Sequence, residues 1–600
     1  MGCGPQLAAG HARGNPGGPV PALATGRGAH LRLVGGLTVR SPSRQEALET
    51  LSRGVDVLVV GGGITGAGVA LDAASRGYRV GLVERRDFAS GTSSRSTRLV
   101  HGGIRYLPQG HLGLVREALR ERQVLLRLAP HLVRPLGFLI PLYRGTRRPL
   151  GMRLPRWLAP LAPVGVGVGL WAYDLFSRDP RLRHRRLSAQ EVHDLVPDLR
   201  TEGLRAAFLY WDGQTDDVRL TRAVLSTARA LGACTVNYVE VVGFERVGGR
   251  IRAAGVVDRL TGRTAEVPVR WVVNATGIWA ERVAALAGEP PVRIRHSKGV
   301  HLVLRPHVVR ASAALVIPET DDGRLAFLVP WEGRLVLGTT DEPYGADLDE
   351  PPVTRADADY LLDHANRYLG VRLRAEDVTA VYAGIRPLVS RSAGSTAALS
   401  RDHVVVASES GLVTVTGGKL TTYRRMAEDT VDAIARMEGR PRSCRTHGLP
   451  LAGAAGLEEA RTQLERSPLE PDQRAHLVAA YGGSATEVLA IVEESPELAV
   501  RLAPGLPHLA AEVVYACRRQ YAVTLADCLY LHTRLAVLDS AAADLAAPRV
   551  AELMARELSW TPEEVDRQLR HYRELRARQD SWRVGSGQTE EQEARRASAV

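Results

Sequence analysis

The segment GGGITG at positions 61–66 fits the pattern G-x-G-x-x-G. It follows the apolar, β-branched run Val55–Val60 and opens an alanine-rich stretch, and Glu84 ends the next apolar run. In this context the first glycine permits a tight turn, the second lets a pyrophosphate approach the backbone, and the third allows close helix–strand packing. Glu84 can accept hydrogen bonds from a ribose diol and would repel a 2′-phosphate. The pattern therefore predicts a dinucleotide site and disfavours NADP, despite the neighbouring Arg85.

Two further segments of small and hydroxyl-bearing residues extend this predicted site. The run SGTSSRS at 90–96 can line a pyrophosphate and an extended flavin chain with hydroxyl and backbone donors. The strand that ends in VVNATG at 272–277 closes in a small-residue turn that can cover the dinucleotide. Because NAD shares the glycine motif, these two segments are what favour FAD over NAD.

Lysine is rare in this chain: of 78 Lys and Arg residues, only Lys298 and Lys419 are lysine. An ammonium is a compact cation, whereas a guanidinium is a planar fork with five donors. Two lysines in an arginine-biased chain indicate positions where the fork does not fit, with chance as the alternative. Lys419 follows two glycines and precedes a predicted helix, so its charge and the helix N-terminus could stabilise negative charge on a flavin. Lys298 lies beside the strand that carries His301.

Histidine has an unperturbed pKa suited to accepting a hydroxyl proton near neutral pH. Of 17 histidines, two lie in contexts that indicate a site. His101 precedes the turn Gly102-Gly103, where the backbone must pass close to a neighbour, and His301 lies on the apolar run VHLVL. Either is a candidate base. The alternative is an arginine-lined site that lowers the pKa of a substrate alcohol without a base.

The composition excludes several classes of protein. Hydrophobic residues make up 45% and charged residues 24%, which are globular values, so the chain is neither disordered nor fibrous. Its 600 residues suggest about two to four domains. The 5 cysteines form no CxxC pair, so a zinc ribbon, a thioredoxin-type motif or a four-cysteine iron–sulfur cluster is not supported, and we predict no metal site. The net charge of +12 favours anionic partners, and the preference for arginine accounts for it without nucleic acid.

The elements that must position these residues follow an α/β pattern. The run Val55–Val60, the glycine turn, an alanine-rich helix and the run Arg79–Val83 form one βαβ unit. Strand-like runs then alternate with helical segments to about residue 440, which predicts a FAD-binding domain over 46–440 with a substrate-binding domain interleaved at about 130–220 and 290–390. The predicted remainder is a disordered extension at 1–45, a linker at 441–456, a helical C-terminal domain at 457–580 and a polar tail at 581–600.

The stretch Trp157–Tyr173 has 17 residues without a charge. A membrane-spanning helix needs about 20 apolar residues, and the prolines and glycines here oppose a helix. A buried segment is the first interpretation. The second is a segment lying in a membrane interface, with Trp157 and Trp171 as anchors beside Arg153 and Arg156.

Taken together, the motifs resemble the FAD-dependent glycerol-3-phosphate dehydrogenase family. The matching segments run in family order from about 55 to 435 and read VDVLVVGGGITGAG, HGGIRYL, WDGQTDDVRL, NATG, GTTD, YAGIRPL and TGGKLTTYR. HGGIRYL, GIRPL and GGKLTTYR are far more specific than the glycine motif. The resemblance implies an α/β fold, in which a Rossmann-type FAD-binding domain carries an inserted antiparallel-sheet substrate domain, followed by an all-α C-terminal domain.

The resemblance also implies a reaction: oxidation of sn-glycerol 3-phosphate to dihydroxyacetone phosphate with FAD, and transfer of electrons to membrane quinone. Bidentate guanidinium forks suit the phosphate. The predicted substrate-binding residues are Arg105, Tyr106, Arg386, Arg401 and Lys298. The predicted catalytic residues are His301, His101, Arg386 and Lys419. The predicted cofactor contacts are Gly61, Gly63, Ile64, Thr65, Gly66, Glu84, Arg85, Thr92, Ser93, Ser94, His101, Gly102, Gly103, Val239, Ala275, Thr276, Gly277, Gly418, Lys419, Leu420 and Thr421.

Other functions stay open at this point. They are an oxygen-dependent glycerophosphate oxidase, an amine or amino-acid oxidase of the same fold, and a basic nucleic-acid- or lipid-binding protein with a passive flavin. An iron–sulfur-linked relative is disfavoured because Cys517 and Cys528 are too sparse to hold a cluster. We expect a cytoplasmic enzyme, peripherally associated with the anionic cytoplasmic face of a membrane, with no nucleic-acid partner; a homodimer is left open.

Overall fold

The computed structural model describes residues 44–146, 149–151, 155–290, 292–321, 323–389 and 403–583. Arg401 lies outside the described residues, as does almost all of the predicted extension at 1–45 and tail at 581–600. The helices are α1 (Arg44–Ser52), α2 (Ile64–Ser75), α3 (Leu112–Leu128), α4 (Ala162–Ser177), α5 (Ala189–Leu195), α6 (Asp217–Ala230), α7 (Ala280–Leu286), α8 (Arg355–Asn366), α9 (Tyr423–Met437), α10 (Leu457–Arg466), α11 (Pro471–Tyr481), α12 (Ala485–Glu494), α13 (Ala510–Gln520), α14 (Leu525–Asp527), α15 (Leu535–Leu538), α16 (Ser540–Leu558) and α17 (Pro562–Asp580). The strands are β1 (Val55–Val60), β2 (Val80–Val83), β3 (Leu99–Val100), β4 (Arg134–Tyr143), β5 (Arg185–Leu187), β6 (Leu204–Gln214), β7 (Cys234–Val236), β8 (Val239–Val247), β9 (Arg250–Asp258), β10 (Thr264–Asn274), β11 (Ile294–Leu304), β12 (Ala314–Ile317), β13 (Ala326–Trp331), β14 (Arg334–Gly338), β15 (Glu342–Pro343), β16 (Val378–Val389), β17 (His403–Ala407) and β18 (Leu412–Gly417).

The first sheet carries the glycine motif. Strand β1 lies near its centre, parallel to β10 and β2, in the order β17-β18-β10-β1-β2-β7, and β8 and β9 extend the sheet from the first half of β10. A central parallel strand is buried on both faces, which explains the continuous apolar run of β1. The registers pair Val60 with Asn274 and Asn274 with Thr414. The loops that follow β1, β10 and β18 therefore meet at one edge of the sheet.

The second sheet places the other motifs beside this edge. Its strands are drawn from residues 99–214 and 294–389, in the order β15-β11-β14-β13-β12-β4-β6-β3, with β16 paired to β11 and β5 to β6. We predicted an antiparallel sheet here. The strand pairs of this sheet are antiparallel except for β12 and β4, which run parallel. The long antiparallel pair β11–β16 brings Ser297 opposite Arg386 and His301 opposite Tyr382.

The C-terminal helices α10–α17 pack around a separate apolar core. They contact the first sheet through a buried cluster in which the Asp87 carboxylate lies 2.8 Å from both Arg222 Nη2 and His532 Nε2. The segment that leads to these helices packs on the first domain, since the Leu451 N–H donates to the Leu128 carbonyl. The predicted fold class, a Rossmann-type α/β domain with an inserted sheet and an all-α C-terminal domain, is confirmed.

The uncharged stretch forms a 3-10 turn, Arg156–Leu161, and then most of helix α4, which corrects our first interpretation of a buried segment. Pro163 lies in the first turn, where a missing N–H costs no hydrogen bond. One face is buried through Val166, Leu170 and Tyr173, while a stripe of apolar side chains on the other face is exposed. Among the described residues a different stretch, 471–494, is long and apolar enough to cross a membrane, but half of it is buried and it packs in the C-terminal core.

Candidate active site

A cavity of about 570 Å³ opens where the edge of the first sheet meets the second sheet. The loops after β1, β10 and β18 form one side, and β11 and β16 form the other. Most of the predicted cofactor residues line it: Gly61, Gly63, Ile64, Thr65, Glu84, Arg85, Thr92, Ser93, His101, Val239, Ala275, Thr276, Gly277, Gly418, Lys419, Leu420 and Thr421. His301 and Arg386 line the same cavity.

The glycine motif is packed too closely for side chains. Gly61 has φ +109°, and a Cβ there would lie 2.7 Å from the carbonyl oxygen of Ala275. A Cβ at Gly66 would lie 1.9 Å from the carbonyl oxygen of Gly61, so this glycine serves helix–strand packing and does not line the cavity. A Cβ at Gly63 would lie 3.0 Å from Ser93 Oγ. The motif therefore leaves bare backbone at the start of α2, the geometry that accommodates a pyrophosphate.

The end of β2 carries Glu84 toward the same cavity. Its Oε2 accepts a hydrogen bond from the Gly62 N–H at 2.7 Å, and its Oε1 accepts one from the Arg86 N–H at 2.9 Å. These two bonds fix the carboxylate beside the glycine turn, where a ribose diol is expected. The Ser93 hydroxyl accepts from the Ile64 N–H at 2.9 Å, so the hydroxyl run is held against the motif.

These residues fit FAD. The bare glycine backbone, the fixed Glu84 carboxylate and the hydroxyl run suit the adenosine and pyrophosphate parts, and the small-residue turns at 275–277 and 417–418 leave room beside them. When bound, FAD would supply a two-electron acceptor at the end of the cavity that carries His301, Arg386 and Lys419.

The second sheet supplies the reacting end of the cavity. His301 is buried, its Nε2 lies 2.8 Å from Thr97 Oγ1, and its ring stacks on Tyr382 with centroids 4.7 Å apart. The Arg386 guanidinium lies across Gly299, where a Cβ would meet it at 2.3 Å. Because Gly299 and His301 are two residues apart on β11, they share one face of the strand. His301, as a base, and Arg386, as a cation suited to phosphate, can therefore act side by side.

The GTTD segment at 338–341 orients Arg386 through hydrogen bonds. Its Nη2 donates to Thr339 Oγ1 at 3.0 Å, and its Nη1 lies 3.3 Å from both the Thr340 carbonyl oxygen and Asp341 Oδ1. The side chain is 24% exposed, so it is oriented by the protein while part of it reaches the cavity. This arrangement suits an anion-binding fork.

The His301 pKa is lowered well below its ordinary value, first by burial and then by the charges of Arg386 and Arg98. The imidazole therefore stays neutral, the form that can accept a proton, at pH values where an exposed histidine is already charged. We expect the rate of flavin reduction at saturating glycerol 3-phosphate to stay level from pH 8 to about pH 6, without the decline near pH 6.5 that an ordinary histidine base causes.

Stopped-flow absorbance measures this rate. Saturating substrate is needed because a phosphate monoester itself titrates near pH 6. A decline centred near pH 6.5 that disappears in His301→Gln would show that His301 has an ordinary pKa and contradict the expectation.

Lys419 reaches the cavity from the turn after β18. Its Nζ lies 4.4 Å from the centre of the Tyr106 ring. Tyr106 in turn accepts a hydrogen bond from Arg105 Nη2 at 3.0 Å. Arg105 and Tyr106 do not line the cavity. The HGGIRYL segment therefore reaches the cavity directly through His101 and indirectly through the contact of Tyr106 with Lys419. Their predicted contact with substrate stays a prediction.

Four other predicted contacts lie behind the cavity wall. Lys298 faces away from it: its Nζ is 2.8 Å from Asp357 Oδ2 in a buried ion pair. Side chains alternate along a strand, so Lys298 and His301, three positions apart on β11, point to opposite faces. Gly102 gives its N–H to the Tyr173 hydroxyl at 3.0 Å, Gly103 packs against Tyr106, and the buried Ser94 hydroxyl donates to the Gly91 carbonyl. None of these four residues lines the cavity, so, like those of Arg105 and Tyr106, their predicted contacts stay predictions.

Sequence reasoning missed two residues that orient the site. Thr97, which contacts His301, extends the hydroxyl run 90–96 by one residue and could have been included on that signal. Asp212 lies in WDGQTDDVRL, a motif to which no role was given. Its Oδ1 accepts from Arg122 Nη1 at 2.7 Å and from the Gly102 N–H at 3.2 Å. It thereby anchors the turn that follows His101.

Known families and proteins match this chain along most of its length. A family described as "FAD dependent oxidoreductase" matches residues 56–424, and one described as "C-terminal domain of alpha-glycerophosphate oxidase" matches residues 444–565.

Two relatives illustrate the sequence match. The "Glycerol-3-phosphate dehydrogenase, mitochondrial" of Mesocricetus auratus is 40% identical over 87% of this chain and 73% of its own. The "Glycerol-3-phosphate dehydrogenase 2" of Mycobacterium bovis is 37% identical over 86% and 87%. Among solved structures, the glycerol-3-phosphate dehydrogenase of Bacillus halodurans complexed with FAD superimposes with a TM-score of 0.73 at 31% identity, over 89% of this chain and 97% of that one.

Proposed function

Because the chain belongs to the FAD-dependent glycerol-3-phosphate dehydrogenase family, we propose that it oxidises sn-glycerol 3-phosphate to dihydroxyacetone phosphate. The observation that best supports this proposal is that Arg386 and the buried His301 line the same cavity as the dinucleotide motif. Arg386 binds the substrate phosphate as a fork. His301 accepts the proton of the reacting hydroxyl, because within the described part of the chain its Nδ1 has no hydrogen-bond partner and its Nε2 can donate to Thr97. FAD, when bound, would accept the hydride from the carbon that carries this hydroxyl.

Anaerobic addition of glycerol 3-phosphate to the purified yellow protein tests the reaction. We expect the flavin absorbance to bleach with glycerol 3-phosphate and not with glycerol or an amino acid. In Arg386→Ala, FAD should stay bound and bleaching should require much higher substrate, since the phosphate loses its fork. Bleaching by an amine or an amino acid, with none by glycerol 3-phosphate, would sink the proposal in favour of an amine or amino-acid oxidase.

Membrane quinone is the electron acceptor that we propose. Molecular oxygen is the second candidate, since residues 444–565 match the C-terminal domain named for alpha-glycerophosphate oxidase. Oxygen consumption measured with and without a soluble quinone analogue separates them. A quinone-linked enzyme turns over rapidly only with the analogue, whereas an oxidase consumes oxygen at the full rate without it.

An anionic membrane surface is the partner that we propose for the exposed face of α4. Leu161, Val164, Val168, Trp171 and Leu175 recur at helical spacing and are each at least 56% exposed. Exposed arginines follow this stripe at once, at positions 178, 181, 183, 185 and 186. An apolar stripe beside cations is the arrangement of a helix that lies in a lipid interface. This surface supports our proposal of a peripheral membrane enzyme on the cytoplasmic face. The animal and plant relatives are named as mitochondrial.

Vesicle sedimentation tests this surface. We expect binding to vesicles that contain phosphatidylserine, weaker binding to neutral vesicles or at high salt, and a loss of about tenfold in Trp171→Ser, since burying a large apolar side chain contributes about 1.5–3 kcal/mol. Leu545→Ser is a matched control, because Leu545 is 66% exposed on the C-terminal helices. Equal loss in both variants, or none in Trp171→Ser, would remove α4 as the membrane contact.

A further inference from the structure

A cluster of histidine and glutamate side chains lies outside the catalytic cavity, where the C-terminal helices meet the second sheet. His476 is on α11, His508 precedes α13, and Glu332 occupies the turn between β13 and β14. One ligand atom from each lies within 4.8 Å of those of the other two. Both histidines are buried and Glu332 is exposed, so the cluster has a buried side and a side open to solvent.

His508 is the member whose surroundings point to a ligand. The residue is 1% exposed, and neither of its ring nitrogens has a hydrogen-bond partner among the residues that the structure describes. Its ring lies against that of His476, with centroids 4.2 Å apart. A buried polar group without a partner destabilises the folded state, so an electron-pair acceptor at this position would satisfy it.

Glu512 supports the cluster from behind. Its Oε2 lies 3.0 Å from His476 Nε2 and accepts a hydrogen bond from the Tyr481 hydroxyl at 2.7 Å. A carboxylate that accepts from one nitrogen of a histidine fixes the tautomer and raises the basicity of the other nitrogen, which is the usual support for a metal-binding histidine. His476 is therefore oriented as a ligand would be.

The charges around the cluster allow a dication. Glu332 and Glu512 bring two negative charges, and Arg334 is already paired with Asp539 at 3.1 Å. Arg219 is a further cation near both His508 and Glu332. Arg534, also near Glu332, is already paired with Asp216 and Asp217.

We propose that Glu332, His476 and His508 form a Zn²⁺ site that links the C-terminal helices to the second sheet. Two imidazoles and one carboxylate, with water in the fourth position, make a tetrahedral zinc site. Donor atoms at bonds of about 2.0–2.1 Å lie roughly 3.3 Å apart. The exposed Glu332 can approach the two rings to close this geometry. No sequence spacing indicated the site, because Glu332 is far from the histidines along the chain.

The site would stabilise the fold near the active centre without taking part in the reaction. Glu332 follows Trp331, whose ring centre lies 3.4 Å from the Arg98 guanidinium carbon, and Arg98 is one of the cations that influence His301. A metal ion bound to Glu332 would therefore fix the turn that positions Trp331. We expect Zn²⁺ to raise the Tm of the holoenzyme.

Calorimetric titration of EDTA-treated, FAD-loaded enzyme with Zn²⁺ tests the site. We expect one equivalent to bind, Co²⁺ to give the visible absorption of a tetrahedral ion, and the Tm to rise with either metal. In Glu332→Gln and His508→Gln the affinity should fall at least about tenfold. The first variant changes only an exposed side chain, so its loss cannot be attributed to unfolding.

Glu497→Gln is a matched control, because Glu497 is an exposed glutamate elsewhere on the C-terminal helices. It should bind Zn²⁺ like the parent enzyme. Absence of Zn²⁺ binding by the parent, or binding that survives in both Glu332→Gln and His508→Gln, would overturn the proposal. Neither result depends on whether glycerol 3-phosphate is the substrate, since the three ligands lie outside the catalytic cavity.

Discussion

Replacing Lys419 by arginine should leave FAD bound but slow flavin reduction by glycerol 3-phosphate about 10²–10³-fold, the loss typical of a misplaced group that stabilises developing charge. Lys419 lines the cavity, and its Nζ lies 4.4 Å from the centre of the Tyr106 ring. The space is confined, because even a Cβ added to Gly103 would lie 3.3 Å from this nitrogen. A guanidinium keeps the charge but is wider and planar, so it cannot occupy the same position.

Stopped-flow reduction at saturating glycerol 3-phosphate gives the rate, and the flavin absorbance of the desalted protein gives the FAD content. Arg425→Lys is a control for the reverse exchange, because Arg425 is 40% exposed on α9 near the same turn. It should reduce at the parent rate. Parent-like reduction by Lys419→Arg would show that only the charge matters. Loss of FAD would instead make Lys419 a cofactor-binding residue.

The sequence predicts the parts of the fold in which burial restricts the residue types that a segment can contain. Strand β1 is buried on both faces of a parallel sheet, so it must be apolar throughout. The glycines after it are required because a Cβ on Gly66 would lie only 1.9 Å from the Gly61 carbonyl oxygen. Helix α4 was not predicted. Its glycines lower helix propensity, but packing of Val166, Leu170 and Tyr173 outweighs that local preference.

The candidate site was predictable where its residues lie within short motifs and not where partners come from distant segments. The loops after β1, β10 and β18 converge because parallel strands share an edge, which sequence patterns can anticipate. The partnership of Asp212 with Gly102 joins segments 110 residues apart, and no local signal encodes it. The position of Lys298 was not predictable for another reason: nearness to His301 in sequence ignores that strand neighbours alternate between faces.

The scarcity of lysine drew attention to Lys298, where we expect a compact cation to be needed. Lys298 is 7% exposed at its side chain and pairs with an Asp357 carboxylate that is 1% exposed. The same Oδ2 accepts hydrogen bonds from the Thr354 N–H and hydroxyl at the start of α8, at 2.9 and 2.7 Å. The ammonium thus joins β11 to a helix cap inside the protein.

Lys298→Ala should therefore destabilise the protein by about 3–5 kcal/mol, because it leaves a buried carboxylate without its cation, and lower the Tm by roughly 3 °C or more. FAD binding and the reduction rate of the folded enzyme should be unchanged, since Lys298 does not line the cavity. Differential scanning fluorimetry and stopped-flow absorbance measure the two effects. Arg355→Ala, which breaks the exposed pair with Asp359 on α8, should cost at most about 1 kcal/mol.

A second substitution separates the ion pair from simple loss of packing. Lys298→Met/Asp357→Asn keeps the side-chain volume and the acceptor for Thr354 but removes both charges, so it should recover most of the Tm lost in Lys298→Ala, as uncharged replacements of buried ion pairs commonly do. If Lys298→Ala instead keeps the parent Tm and loses reduction by glycerol 3-phosphate, Lys298 acts on substrate and its assignment to the fold is wrong.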